Sequence, residues 1–176
     1  MGKTCLAVHW AHRAAARFPD GHSLADALGY ARRALDLFRR GDDATGQALA
    51  LNSVGWFHAQ LGDYRQALTS CRDALALMRA LGFREGEAGT WDSLGYAHYG
   101  LADYEQSAIS YQHALDLFAE LGDRYNEGRA LANLGGIHHD AGDIAAARQA
   151  WTRALRVLDE LNHPEAEQVR AKLNSV

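Results

Sequence analysis

Residues 88–127 read AGTWDSLGYAHYGLADYEQSAISYQHALDLFAELGDRYNE, and this stretch decides the fold because it returns twice. Residues 48–87 and 128–167 align with it without a gap, a period of 40. Seven positions are identical in all three copies: Gly55/Gly95/Gly135, His58/His98/His138, Asp63/Asp103/Asp143, Ala74/Ala114/Ala154, Leu75/Leu115/Leu155, Leu81/Leu121/Leu161 and Glu87/Glu127/Glu167. From average composition about one coincidence or fewer would arise by accident.

Each copy reads as two helices. The first runs from about Ala48 to Leu61, with Leu51, Val54, Gly55 and His58 at the i, i+3, i+4, i+7 spacing of a buried stripe. It stops at Gly62, and Asp63 supplies an N-cap oxygen. A second stripe of Tyr64, Ala67, Leu68, Cys71, Ala74, Leu75 and Met78 then ends near Leu81-Gly82. Asp103 and Asp143 cap the other copies, with Gly122 and Asn162 as stops. Gly55, Gly95 and Gly135 fall mid-helix, where Gly costs about 0.5–1 kcal/mol relative to Ala. Their recurrence implies another helix backbone too close for a Cβ, with Ala74, Ala114 and Ala154 playing the same part on the second helix. One hairpin buries one face only, so stacking must complete the core. The expected fold is all-α, a right-handed α-solenoid.

Working outward, residues 23–47 read as an incomplete repeat, since Ala27, Ala34, Leu35 and Leu37 stand one period before Ala67, Ala74, Leu75 and Leu77. Residues 164–176 read as a capping helix opened by Pro164, with Ala166, Val169 and Leu173 inward and Glu165, Glu167, Gln168, Arg170 and Lys172 toward water. Two prolines in 176 residues agree with long helices. No apolar run approaches the roughly 18 residues that span a bilayer, and no signal peptide opens the chain, so a cytoplasmic protein with both Cys5 and Cys71 reduced is expected. Net charge is −4, unevenly spread: residues 1–40 hold seven Lys/Arg against three Asp. Without interleaved aromatics this basic head does not imply direct nucleic-acid binding.

These residues resemble the tetratricopeptide repeat, whose pattern is W-x2-L-G-x2-Y, A-x3-F, A. The second copy reads Trp91, Leu94, Gly95, His98, Ser107, Tyr111, Ala114; the third Leu131, Leu134, Gly135, His138, Ala147, Trp151, Ala154; the first Leu51, Val54, Gly55, His58, Ala67, Cys71, Ala74. The resemblance implies three full tetratricopeptide-like repeats, 48–87, 88–127 and 128–167, in a non-catalytic protein-binding module. The period of 40 exceeds the usual length of about 34 residues, which lengthens the helices by some 9 Å in total.

Residues 1–22 open MGKTCLAVHWAHRAAARFPDG, which is similar to the first helix of an NB-ARC nucleotide-binding domain. In such domains a Gly-Lys-Thr closes a phosphate loop, so the resemblance implies a remnant of it in Gly2, Lys3 and Thr4. The two resemblances together point to actinobacterial regulators of the Streptomyces antibiotic regulatory protein type, which join NB-ARC and tetratricopeptide regions, and hence to transcription regulation. Read from the residues, Leu6, Trp10, Ala14 and Phe18 instead make the apolar face of a helix that covers the flank of the incomplete repeat, within the chain or as a homodimer.

For chemistry, His138-His139-Asp140 invites a metal, but adjacent helical positions diverge by about 100°. No metal or other cofactor is expected, and His58, His98 and His138 are assigned to packing. No spacing marks a nucleophile or carboxylate pair, so an enzyme is not expected. The concave groove is the better candidate. Beside the core stripe of the first helices lie Asn52, Ser53, Trp56 and Gln60; Asp92, Ser93, Tyr96 and Tyr99; and Asn133 and His139. The ladder Ser53, Ser93, Asn133 can bond an extended peptide backbone, while Trp56, Tyr96 and Tyr99 offer rigid contact area. Asn52 and Asp92 begin a second polar row that Ala132 breaks, and Arg129 as the evident groove cation does not make a carboxylate pocket expected. The leading reading is a protein, peptide or self-association module. Its rivals are a remnant NTPase binding nucleotide through Lys3 and Thr4, and a purely structural dimeriser.

Overall fold

A computed structural model describes residues 23–176. Among them are eight α-helices and no strand: α1 Leu24–Arg40, α2 Ala44–Gln60, α3 Tyr64–Ala80, α4 Arg84–Gly100, α5 Tyr104–Leu121, α6 Arg124–Asp140, α7 Ile144–Glu160 and α8 Glu165–Asn174. Every helix packs against the next in sequence, and α2 also touches α4. Contacts that run along the chain in this way make a solenoid.

A left-handed residue recurs every 20 positions at the turns: Asp42, Gly62, Gly82, Ala102, Gly122, Gly142 and Asn162, with φ between +51° and +86°. The next residue's N–H returns to a carbonyl five positions earlier, as from Asp63 to His58 at 2.8 Å and from Phe83 to Met78 at 2.9 Å. This is the Schellman closure, which satisfies carbonyls orphaned at the helix end. Helices of 17 residues joined by such turns split the period of 40 into equal halves.

Helix α2 starts at Ala44, ahead of the expected Ala48, because Asp43 caps it by accepting from the Gly46 N–H at 2.8 Å. The aspartate that recurs in all three copies stands at the N-cap of each second helix, whereas no recurring identity marks the start of the first. Asp103 and Asp143 accept from the N–H groups of Gln106 and Ala146 at 3.3 and 2.9 Å. Asp63 makes no capping bond; its Oδ2 lies 3.4 Å from His58 Nδ1. Asp103 does both, with Oδ2 3.2 Å from His98 Nδ1. Arg32 Nη2 sits 3.1 Å from His58 Nε2, and a guanidinium only donates, so Nδ1 carries the ring proton and donates to Asp63. The recurring histidine thus ties the end of the first helix to the start of the second in two copies.

The mid-helix glycines correct one expectation about what lies against them. A Cβ on Gly95 would stand 2.5 Å from the Tyr111 ring, and one on Gly135 2.3 Å from the Trp151 indole. Here the close neighbour is an aromatic ring lodged in the slot and not a backbone. At Gly55 the expected backbone approach is present, with Ala67 O at 3.1 Å from the added carbon, beside Cys71 Sγ at 2.3 Å. Ala74, Ala114 and Ala154 are fully buried on the second helices. Burial pushes the Cys71 thiol up to about 12, which removes it as a nucleophile at neutral pH.

The recurring glutamate closes the interfaces between repeats. Buried Glu87 accepts from Arg79 Nε at 2.9 Å and Arg84 Nη1 at 3.2 Å, and Arg84 also reaches Glu120 at 2.5 Å. Burial works against the Glu87 carboxylate, but the two arginines outweigh it and hold its pKa below the usual range. Arg124 repeats the clamp on Glu127 and Glu160 at 2.5 and 2.6 Å, and Arg170 takes Glu167 together with Asp159. At the other end Leu37 is 66% exposed, while its counterpart Leu77 is half-buried and Leu117 and Val157 are 5% and 1% exposed; no described helix precedes α1.

Candidate functional site

The contact of α2 with α4 places the first helices of the repeats on the inner layer, and α6 continues that layer toward α8. Of the predicted groove residues, Ser53 and Ser93 are buried, and their hydroxyls donate to the carbonyls of Leu49 and Gly89 at 3.0 Å. Asn52 is buried too, 3.8 Å from the Cys71 sulfur. The remaining residues gather into three groups.

Trp56 and Tyr96 meet across α2 and α4 with ring centroids 5.3 Å apart, and Gln60 bonds the Tyr96 hydroxyl. Burial raises the Tyr96 pKa, so the phenol stays a neutral donor and acceptor. Tyr99 donates to Asp140 Oδ2 at 2.5 Å, which ties α4 to α6; His139 Nδ1 lies 3.0 Å from the other Asp140 oxygen. That bond is the main cause raising the Tyr99 pKa to about 12, and it holds Asp140 below the carboxylate range.

The third group sits between α4 and α6. Tyr111 enters from α5 through the slot at Gly95, and its buried hydroxyl bonds Asn133. Burial pushes the Tyr111 pKa well up; Asp92 adds to that, and Arg129 opposes it. Burial likewise pushes the Asp92 carboxyl above its usual range, offset in part by Arg129. Burial works against the Arg129 charge, but Asp92, Tyr125 and Glu165 outweigh it and keep its pKa raised. Beyond Arg129 a cavity of about 220 Å³ opens between α6 and α8, lined by Arg129, Asn133, Glu165, Gln168, Val169 and Lys172.

Tyr111 is in the core, 3% exposed, and Gln168 and Lys172 of α8 are exposed, as the helix patterns imply; what periodicity did not reveal is the bond from Tyr111 to Asn133 and the cavity that Glu165, Gln168 and Lys172 line with Arg129. A signal was present. Arg129 stands where the other copies have Leu49 and Gly89, Tyr111 where they have Cys71 and Trp151, and Asp92 where they have Asn52 and Ala132. Of these, Asp92 and Arg129 are charged where neither other copy carries a charge.

An acid with a raised folded pKa binds its proton more tightly folded than unfolded, so its contribution to stability is lost as pH rises through the folded value. Asp92→Asn is therefore expected to raise the Tm at neutral pH by about 2–4 °C, the equivalent of about 1 kcal/mol. The gain shrinks as pH falls toward the ordinary carboxylate range. Thermal melts of both proteins at neutral and mildly acid pH check this, and a variant no more stable at neutral pH contradicts it.

Gly2, Lys3 and Thr4, and the helix proposed for a homodimer, lie outside the described residues. Among the described residues no group of three His, Cys, Asp or Glu side chains is placed to hold a metal, and no helix is long and apolar enough to cross a membrane.

A family model described as tetratricopeptide repeat matches residues 86–160, and a second with the same description matches residues 47–81. No curated protein matches the chain. Among solved structures, BtubC (BKLC) from P. vanneervenii is similar at 21% identity and a TM-score of 0.73, over 92% of this chain and 65% of that one. The apo form of RapI is similar at 14% identity and 0.75, over 85% and 42%. A signal transduction ATPase with numerous domains and a tetratricopeptide repeat sensor, from Pyrococcus horikoshii, gives 18% identity and 0.78, over 98% and 26%. The chain thus spans between 26% and 65% of the length of these proteins, and at such identities the likeness is one of fold. Residues 47–81 and 86–160 are tetratricopeptide repeats, and together they build a tetratricopeptide-type α-solenoid.

Proposed function

We propose that the inner face of α2, α4 and α6 binds an extended peptide segment of a protein partner, or of a second copy, and that it does so within a transcription regulator. Tetratricopeptide repeats are protein-interaction modules, which supports the general role. The observation that carries the finer reading is the placement of Trp56 with Tyr96, and of Asp92, Asn133 and Arg129, on successive inner helices whose other faces are packed. Rigid aromatic anchors beside polar groups that both donate and accept are what an extended chain needs. The regulatory setting rests on the resemblance of the repeats and of residues 1–22 to regulators that join NB-ARC and repeat regions. Selecting binders from a display library of random dodecapeptides tests the groove. Binders are expected whose affinity falls about tenfold or more in Tyr96→Ala, the scale of an aromatic hot spot. A library without binders, or binders indifferent to that substitution, overturns the reading.

A further inference from the structure

We propose that the open face of α1 is the seat of residues 4–18 of the same chain, which pack on it as the first helix of a fourth repeat, with Trp10 in the place of Trp91 and Ala14 in the place of Gly95. The inference concerns the α1 end of the array and does not depend on the peptide groove.

The face is defined by the interface it lacks. By register α1 is a second helix, since Ala27, Ala31, Ala34 and Leu35 stand 40 positions before Ala67, Cys71, Ala74 and Leu75. Each later second helix packs more extensively on the helix before it, its own hairpin partner, than on the helix after it. Among the described residues α1 has the lesser interface, with α2, and not the greater one. Burial shows the consequence. Leu37 is 66% exposed, and Ala34 is half-buried where Ala74, Ala114 and Ala154 are fully buried. Leu77, in the matching place, packs on Ala48 and Leu49 of its hairpin partner. The group that belongs over Ala34 and Leu37 is therefore an inner helix of α1's own hairpin.

The chain's own order selects the segment. It enters α1 through Ser23, whose capping box with Asp26 stands where Asp63, Asp103 and Asp143 open the other second helices. Before it, Pro19-Asp20-Gly21-His22 stops one helix and turns, and helices joined by so short a link lie antiparallel and adjacent. The link is one residue longer than the others and puts Gly21 in the place of left-handed Gly62 and Gly142. Counted back from Gly21, Trp10 takes the place of Leu51, Trp91 and Leu131, and Ala14 that of Gly55, Gly95 and Gly135. The slot then fits by exchange. Glycine is required in the described hairpins because Cys71, Tyr111 or Trp151 fills the space a Cβ would take. In α1 the filling residue is Ala31, which has nothing beyond its own Cβ, and the residue opposite is alanine instead of glycine. Arg13 takes the place of Leu94, which packs on α3 of the preceding repeat, so its charge stays out of this interface.

Thiol labelling of the full chain reads whether the face is covered. Leu37→Cys is made in a Cys5→Ser background, where the buried Cys71 thiol, pushed up to about 12, does not compete. Adding Ala14→Asp is expected to speed reaction with a maleimide about tenfold or more, because a carboxylate in the closed slot detaches the segment. Ala16→Asp, on the far side of the same helix, leaves the rate unchanged. Trp10→Ala gives a rise without adding a charge, and thermal melts of each variant confirm that the remaining repeats are folded. A second pair decides whose segment is seated: Ala7→Cys with Leu37→Cys, oxidised at low protein concentration in the same background, gives a disulfide within one chain. Equal labelling in all variants overturns the proposal, as does a rise with Ala16→Asp and none with Ala14→Asp. A disulfide-linked dimer overturns it by assigning the face to a second copy, and the absence of any cross-link overturns the seating of residues 4–18.

Discussion

Gly135→Ala is expected to destabilise the protein by about 1–3 kcal/mol, a fall in Tm of roughly 4–10 °C, while Gly136→Ala next to it stabilises by about 0.5–1 kcal/mol. Both glycines lie within α6, and on helix propensity alone both changes are favourable. The difference is what the new methyl meets. At Gly135 it would lie 2.3 Å from the Trp151 indole, and at Gly136 nothing stands within 4 Å. The ring cannot retreat, because it is 3% exposed and its Nε1–H donates to the Ala132 carbonyl at 3.1 Å. Overpacking of a close-packed interior forces side chains off their rotamers or shifts the backbone, and that cost exceeds the propensity gain. Removing the obstacle should reverse the sign: in a Trp151→Leu background Gly135→Ala becomes neutral or stabilising. Thermal melts of the four variants decide the matter. Equal shifts for Gly135→Ala and Gly136→Ala would mean that the recurring glycine has no packing role.

The same slot explains how far the sequence could be read. A period of 40 with seven recurring identities states the architecture almost outright, because the glycine and alanine among them mark close contacts that every hairpin makes, although the recurring Leu81, Leu121 and Leu161 are 38–43% exposed. Helix starts were less legible, since the residues that open α2, α4 and α6 are Asp43, Phe83 and Asp123, which do not recur as one residue. In the groove, Trp56 and Tyr96 could be found from their place beside the buried stripe, and they do meet. Ser53 and Ser93 sit beside the same stripe but are covered, because an inner helix packs against its hairpin partner and against neighbouring inner helices at once, which widens the buried arc. Tyr111 and the α8 lining were invisible to periodicity for a different reason. Their own helix patterns assign Tyr111 to the core and the α8 residues to solvent, and only the tertiary arrangement brings Tyr111 to Asn133 and sets Glu165, Gln168 and Lys172 beside Arg129.

Leu158→Ala is expected to cost about 2–5 kcal/mol, among the larger effects of any single truncation in this chain. Leu158 is fully buried on α7, and its side-chain carbons would lie 3.1 Å from a Cβ placed on Gly128 of α6. The opposing helix therefore offers no side chain that could move into the vacated space, and Val157 and Trp151 nearby are 1% and 3% exposed and already fixed. A cavity that cannot collapse keeps the full loss of contacts. Refilling it from across the interface should recover part of the loss: Gly128→Ala is crowded in the wild type, yet in Leu158→Ala its methyl has room and its helix propensity works in its favour. The damage should also stay local. Contacts in a solenoid run between neighbours, so amide exchange is expected to quicken over α6, α7 and α8 well before α1 to α3. The groove end that includes Arg129 and Lys172 belongs to that weakened unit, whereas Trp56 and Tyr96 lie outside it. Uniform exchange along the whole chain would show instead that the repeats melt as one body, and Leu158→Ala would then weaken both ends of the groove alike.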